Sequence, residues 1–136
     1  KCPELWTEEF INALARILAP GGRIITYCTA AAIRGSLRRA GLRVKSVLPK
    51  TISRTNWSIG TLAIKPGGDY KNNPKQNNYR DLSQMEEEHL LTKAAIPYRD
   101  PDGMATINEI NKRREQEQRE SQMESTSSWQ RRWVKA

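Results

Sequence analysis

Between Thr7 and Ile64 the apolar residues switch repeatedly between helical and strand spacing, and the order of those switches limits the folds open to this chain. Thr7 is a helix N-cap residue, with Glu8 and Glu9 in the first turn, where the helix dipole favours negative charge. Phe10, Ile11, Leu14, Ile17 and Leu18 then recur at helical spacing, so a helix is predicted over residues 8–18, stopped by Pro20-Gly21-Gly22. Arg23-Ile24-Ile25-Thr26-Tyr27-Cys28 is a β-branched and aromatic run that suits a strand covered on both faces. Thr29 caps a second helix over residues 30–40, with Ala32, Ile33 and Leu37 as its apolar positions and Arg34, Arg38 and Arg39 on its other faces. Gly41 ends it. Strands follow over residues 42–48 and 58–64. The loop joining them is too short for a crossover helix, so these two strands are predicted to be antiparallel. The order helix, strand, helix, strand, strand implies an α/β layered sheet.

The composition changes near Lys65. Residues 1–64 hold ten Lys/Arg against three Asp/Glu, a net of +7, whereas residues 65–136 hold thirteen against twelve, a net of +1. We read residues 1–65 as part of a folded domain, 66–80 as a Gly-, Asn- and Lys-rich linker, and 81–136 as a polar, partly helical or disordered tail. Within the tail a helix is predicted over residues 82–95, capped by Ser83. After a proline-punctuated loop, a second covers residues 106–123 and is nearly all polar after Ile110. A basic folded segment has two readings: it faces a phosphate-rich partner, or it is half of a domain whose other half carries the acids.

Two cysteines, Cys2 and Cys28, make neither a disulfide framework nor a zinc site, and a single histidine, His89, argues against a metal centre. No apolar run approaches the ~20 residues needed to span a bilayer, and no secretory signal is present, so the chain reads as cytoplasmic.

Several short words occur in order: Pro3-Glu4-Leu5-Trp6-Thr7, Ala19-Pro20-Gly21-Gly22, Thr26-Tyr27-Cys28, Ala31-Ala32-Ile33-Arg34 and Ala40-Gly41-Leu42. Together they resemble the carboxyl-terminal half of MnmC-like S-adenosylmethionine-dependent methyltransferases. The resemblance stops by Lys65, after which no counterpart is placed. Ile52-Ser53-Arg54-Thr55-Asn56-Trp57 departs from the glycine-rich stretch usual in the family before its last strand. The resemblance implies a Rossmann-like methyltransferase sheet, helix-strand-helix-strand-strand, with its cofactor site at the carboxyl ends of the parallel strands. It also implies transfer of a methyl group to the exocyclic amine of aminomethyl-uridine at the tRNA wobble position. The glycine-rich cofactor loop does not occur in the sequence, and the acidic loop expected to carry catalysis would lie upstream of Lys1. The isolated chain is therefore expected to be inactive. A basic RNA- or protein-binding module derived from the same fold is the alternative.

Pro3, Leu5, Trp6, Thr26, Tyr27 and Cys28 are the candidate substrate or cofactor cleft residues on this resemblance. Trp6 either stacks on a base or packs ahead of the helix cap. Arg34, Arg38, Arg39, Lys50 and Arg54 are candidate RNA-phosphate contacts, Arg34 and Arg38 being one turn apart, or else a solvated face. Trp129 and Trp133, four residues apart, either dock on the sheet or bind a protein partner.

Overall fold

The computed structural model describes residues 2–50, 57–68 and 78–134. After a short 3₁₀ turn, Pro3–Leu5, the Thr7 hydroxyl accepts the Phe10 N–H at 3.2 Å and opens helix α1, Glu8–Ile17. α1 buries Ile11 and Ala15 and leaves Phe10 and Ile17 exposed. Its last carbonyls are met by a side chain from far along the chain: Lys65 Nζ donates to Ala15 O and Leu18 O, both at 2.8 Å. A cation at this end also complements the helix dipole. Gly21, at φ +81°, makes the turn into strand β1, Arg23–Thr26.

Helix α2, Ala31–Arg39, and strands β2, Arg43–Val47, and β3, Gly60–Ile64, follow in the predicted order. β3 pairs antiparallel with β2, as the short connection requires, and also antiparallel with β1, so Ala63 lies between Ile24 and Val44. β1 and β2 are therefore parallel to each other, with β3 inserted between them. The close approach of β3 to β1 demands glycine at position 60. A Cβ there would stand 2.5 Å from the Thr26 carbonyl oxygen, so any larger residue would force β1 and β3 apart.

A fourth strand, β4, Tyr79–Asp81, pairs antiparallel with β2 (Val47 opposite Tyr79, Lys45 opposite Asp81) and makes the sheet order β1-β3-β2-β4. It begins within the stretch read as a linker. Three residues are too few to show a period, which is why the sequence hides it. Among the described residues no strand covers the outer edge of β1.

The segment beyond β4 packs against the sheet and its helices. Helix α3, Gln84–His89, opens with a capping box: Glu86 N–H donates to the Ser83 hydroxyl, and Ser83 N–H donates back to the Glu86 carboxylate. The predicted helix over 82–95 is shorter because Thr92 interrupts it. Its hydroxyl donates to His89 O and accepts the Ala94 N–H, starting a separate 3₁₀ turn, Lys93–Ala95. Helix α4, Ile107–Glu120, has a second capping box, Thr106 with Glu109, and Ile110 is completely buried despite the polar run that follows it. Helix α5, Thr126–Val134, carries Trp129 and Trp133. The main core joins Ile11, Ile33, Leu37, Leu42, Val44 and Ala63 to Leu82 from beyond β4, with Leu90 and Tyr98 packed against it.

Candidate functional site

Beyond the carboxyl end of β1 lies a cleft of about 440 Å³. That is within the ~300–1,000 Å³ of small-molecule sites. Its walls are Cys2, Pro3 and Trp6 from the start of the chain, Cys28, Ala30 and Ile33 from the β1–α2 passage, and Tyr98, Ile107 and Asn111 from the segment beyond α3. No charged side chain is among them. Three of the candidates read from the sequence, Pro3, Trp6 and Cys28, thus converge on one cavity. Leu5 is half exposed and does not line it. Tyr27 is 91% exposed and does not line it, and neither does Thr26, whose hydroxyl accepts the Cys28 N–H at 3.1 Å.

Cys28 is held from a second side. Thr61 Oγ1 donates to Cys28 O at 2.6 Å and accepts from Arg34 Nε at 2.9 Å. Arg34 is buried, although its position on a helix led us to group it with the phosphate-facing arginines. Its guanidinium also donates to Ser58 Oγ, Gly60 O and Glu86 Oε2. That corrects the expectation for Arg34: with every nitrogen engaged inside the fold, it presents nothing to an RNA backbone. Glu86 in turn accepts from Ser46, Ser58, Ser83 and Arg80. Burial alone would raise the Glu86 carboxyl. The hydrogen bonds from Ser46, the Ser83 backbone, Arg34 and Arg80 outweigh it and hold the group well below the usual carboxylate range.

The other two arginines of α2 are exposed but paired. Arg38 makes a two-pronged contact with Glu87, and Arg39 pairs with Glu8. Lys50 is exposed. Arg54 lies outside the described residues. Acids from beyond β4, Glu86 and Glu87, thus pair with two of the three arginines of α2, and Glu8 of α1 with the third. Among the described residues no cluster of His, Cys, Asp and Glu is placed to hold a metal ion, and no helix is long and apolar enough to cross a membrane.

Trp129 is buried and stacks on His89 with ring centroids 4.1 Å apart, while its indole N–H donates to Met85 O at 3.0 Å. Trp133 donates to Glu88 Oε2 at 2.6 Å. Both tryptophans thus fasten α5 to α3. Sequence reasoning missed Tyr98 and Asn111 as cleft residues because they lie in a segment for which no counterpart had been placed. The one available signal was the Ile107/Asn111 spacing of a single helical turn.

Residues 1–55 match the sequence model of the S-adenosyl-L-methionine-dependent methyltransferases. Among solved structures the chain is similar to MnmC2 from Aquifex aeolicus, with a TM-score of 0.66 and 22% identity, over 88% of this chain and 35% of that one. The chain thus spans about a third of the length of that protein. A match over 88% of the chain is longer than residues 1–65 can supply, so structure beyond Lys65 also has a counterpart. The chain has the fold of an MnmC-like methyltransferase over the part it spans, and its first 55 residues carry the sequence pattern of the S-adenosyl-L-methionine-dependent methyltransferase family.

Proposed function

We propose that this chain forms the carboxyl-terminal part of a cytoplasmic S-adenosylmethionine-dependent methyltransferase that acts on the exocyclic amine of aminomethyl-uridine at the tRNA wobble position. The observation that carries the reading is the uncharged, aromatic-walled cleft beyond the end of β1, in a chain whose first 55 residues match a methyltransferase family.

The cleft residues do not by themselves fit the cofactor. S-adenosylmethionine brings a sulfonium, an ammonium, a carboxylate and a ribose diol. No acid or base lines the cavity to meet them. The lining suits a flat, neutral acceptor instead, with Trp6 stacking on the base. What this part of the protein contributes is acceptor binding and exclusion of water, which position an amine that needs alignment more than proton transfer. Arg38, Arg39 and Lys50 remain our candidate phosphate contacts, since Arg38 and Arg39 are exposed enough to exchange an acid for a phosphate. The alternative of a basic module without chemistry draws less support, because residues 1–55 match a methyltransferase family and Arg34 is enclosed by the fold.

The test uses the parent protein that contains this chain. It is incubated with labelled S-adenosylmethionine and with tRNA that does or does not carry aminomethyl-uridine. Label in the wobble nucleoside, with a mass gain of one methyl group, is expected only for the first tRNA. No transfer to either would overturn the proposal.

A further inference from the structure

Three of the nine residues that line the cleft, Tyr98, Ile107 and Asn111, come from beyond residue 80, and there the structure separates fixed groups from free ones. Tyr98 is fixed before anything binds. Its carbonyl accepts the Glu8 N–H at 2.9 Å, and the Arg114 guanidinium lies 4.6 Å from its ring centroid. Arg114 is itself tied to Ile96 O at 2.8 Å and Ala94 O at 3.0 Å. The adjacent Arg99 bridges Glu8 on α1 and Glu117 on α4, which braces α4 over the start of the chain.

The polar tips in the cleft are different. The Asn111 amide, the Tyr98 hydroxyl and the Trp6 indole N–H have no hydrogen-bond partner among the described residues. These tips are open to solvent, since every deeply buried side-chain polar atom among the described residues is satisfied. Asn111 offers one carbonyl acceptor and two N–H donors side by side, in a cleft whose lining includes the aromatic rings of Trp6 and Tyr98 and no charged side chain. That set matches a flat heterocycle that presents a donor next to an acceptor, as the ring N3–H and carbonyl of a uracil-type base do. An amide makes such paired contacts to base edges, and splayed-out RNA bases are read by stacking plus edge hydrogen bonds.

We infer that Asn111 reads the Watson–Crick edge of a uracil-type acceptor base held between Trp6 and Tyr98, with Arg114 positioning Tyr98. The inference rests on the function proposed above and adds the residue that selects the base. It assigns part of substrate recognition to α4.

The experiment uses the parent protein with Asn111→Leu, which removes both donor and acceptor, and Asn111→Asp, which removes the donors and keeps acceptor oxygens. Both are expected to raise the KM for acceptor tRNA roughly ten-fold or more, the usual scale for losing a two-point base contact. The dissociation constant for S-adenosylmethionine and the thermal unfolding midpoint should stay at the wild-type values. An acceptor methylated at N3 should bind wild type and variants equally weakly, because the contact is already lost. An unchanged KM in both variants, with wild-type methyl transfer intact, overturns the role of Asn111 and leaves the methyltransferase reading standing. Absence of methyl transfer by the wild type overturns both.

Discussion

Glu86 Oε2 lies 2.5 Å from Arg34 Nη1 across 52 residues of sequence, and both side chains are more than nine-tenths buried. Removing one member of such a pair leaves the other as an unpaired buried charge, which costs ~3–5 kcal/mol. Arg34→Leu is therefore expected to lower unfolding free energy in urea by about that amount. A loss under ~1 kcal/mol would mean that water relieves the stranded carboxylate. The pH dependence follows from the same group. The folded carboxyl is held below its ordinary value of 4.5, so the unfolded chain binds the proton more readily. The contribution is complete above that value and is lost as the pH falls below it. Glu86→Gln, less stable at neutral pH, should lose less stability than wild type between about pH 6 and pH 3.

The docking of α5 depends on Trp129. Trp129→Ala removes a buried ring, its stack on His89 and its bond to Met85 O, a change worth ~3–5 kcal/mol in a packed core. Limited proteolysis should then cut after α4, where wild type resists. Trp129→Phe keeps an aromatic stack and should forfeit only about 1 kcal/mol for the missing hydrogen bond. Burial, with Arg34 acting the same way and Glu86 opposing, pushes the His89 imidazole below its ordinary value of 6.5. A lowered value means that the folded chain resists protonation, so the contribution present above pH 6.5 declines on acidification. His89→Gln should flatten that part of the stability profile.

Trp6 is a wall of the cleft and also packs against the main core, so activity and stability must be read separately. In the parent protein Trp6→Phe should largely preserve stability and acceptor binding, whereas Trp6→Ala should weaken binding by the ~1–3 kcal/mol of one lost base stack. Filter binding of the acceptor tRNA at fixed salt measures this. Equal affinity for Trp6→Ala and wild type would assign Trp6 to packing alone.

β1 carries the exposed Ile25 on a strand whose outer edge is uncovered among the described residues. An open apolar edge is a template for pairing between chains. Ile25→Lys should reduce concentration-dependent light scattering of the isolated chain, with little change in its far-UV circular dichroism. Unaltered scattering would place the association elsewhere.

The elements legible in the sequence were those with local signals. Thr7, Gly21 and the alternating periods announce α1, β1, α2, β2 and β3, and the short loop before β3 fixes its direction. β4 has no such signal, because Tyr79, Arg80 and Asp81 join the sheet through backbone pairing. The docking of the later segment rests on single apolar residues, Leu82, Ile110 and Trp129, set in polar surroundings, and a periodicity argument cannot weigh one residue at a time. Arg34 misled for a related reason. An arginine on a helix reads as solvated until its acid is found, and that acid belongs to a capping box whose visible purpose is only to start α3.

The insertion of β3 between β1 and β2 has a consequence for how the chain assembles. When β1, α2 and β2 have formed, the two strands stand a full strand-width apart and share no backbone bonds. Neither can rest on the other. The sheet closes only when a later segment threads into the gap, and Gly60 gives that segment the clearance to enter beside Thr26. Such a fold cannot grow strand by strand from its beginning. Its slow event is set by long-range contacts, and the time before β3 arrives is when β1 and β2 are open to the wrong partner.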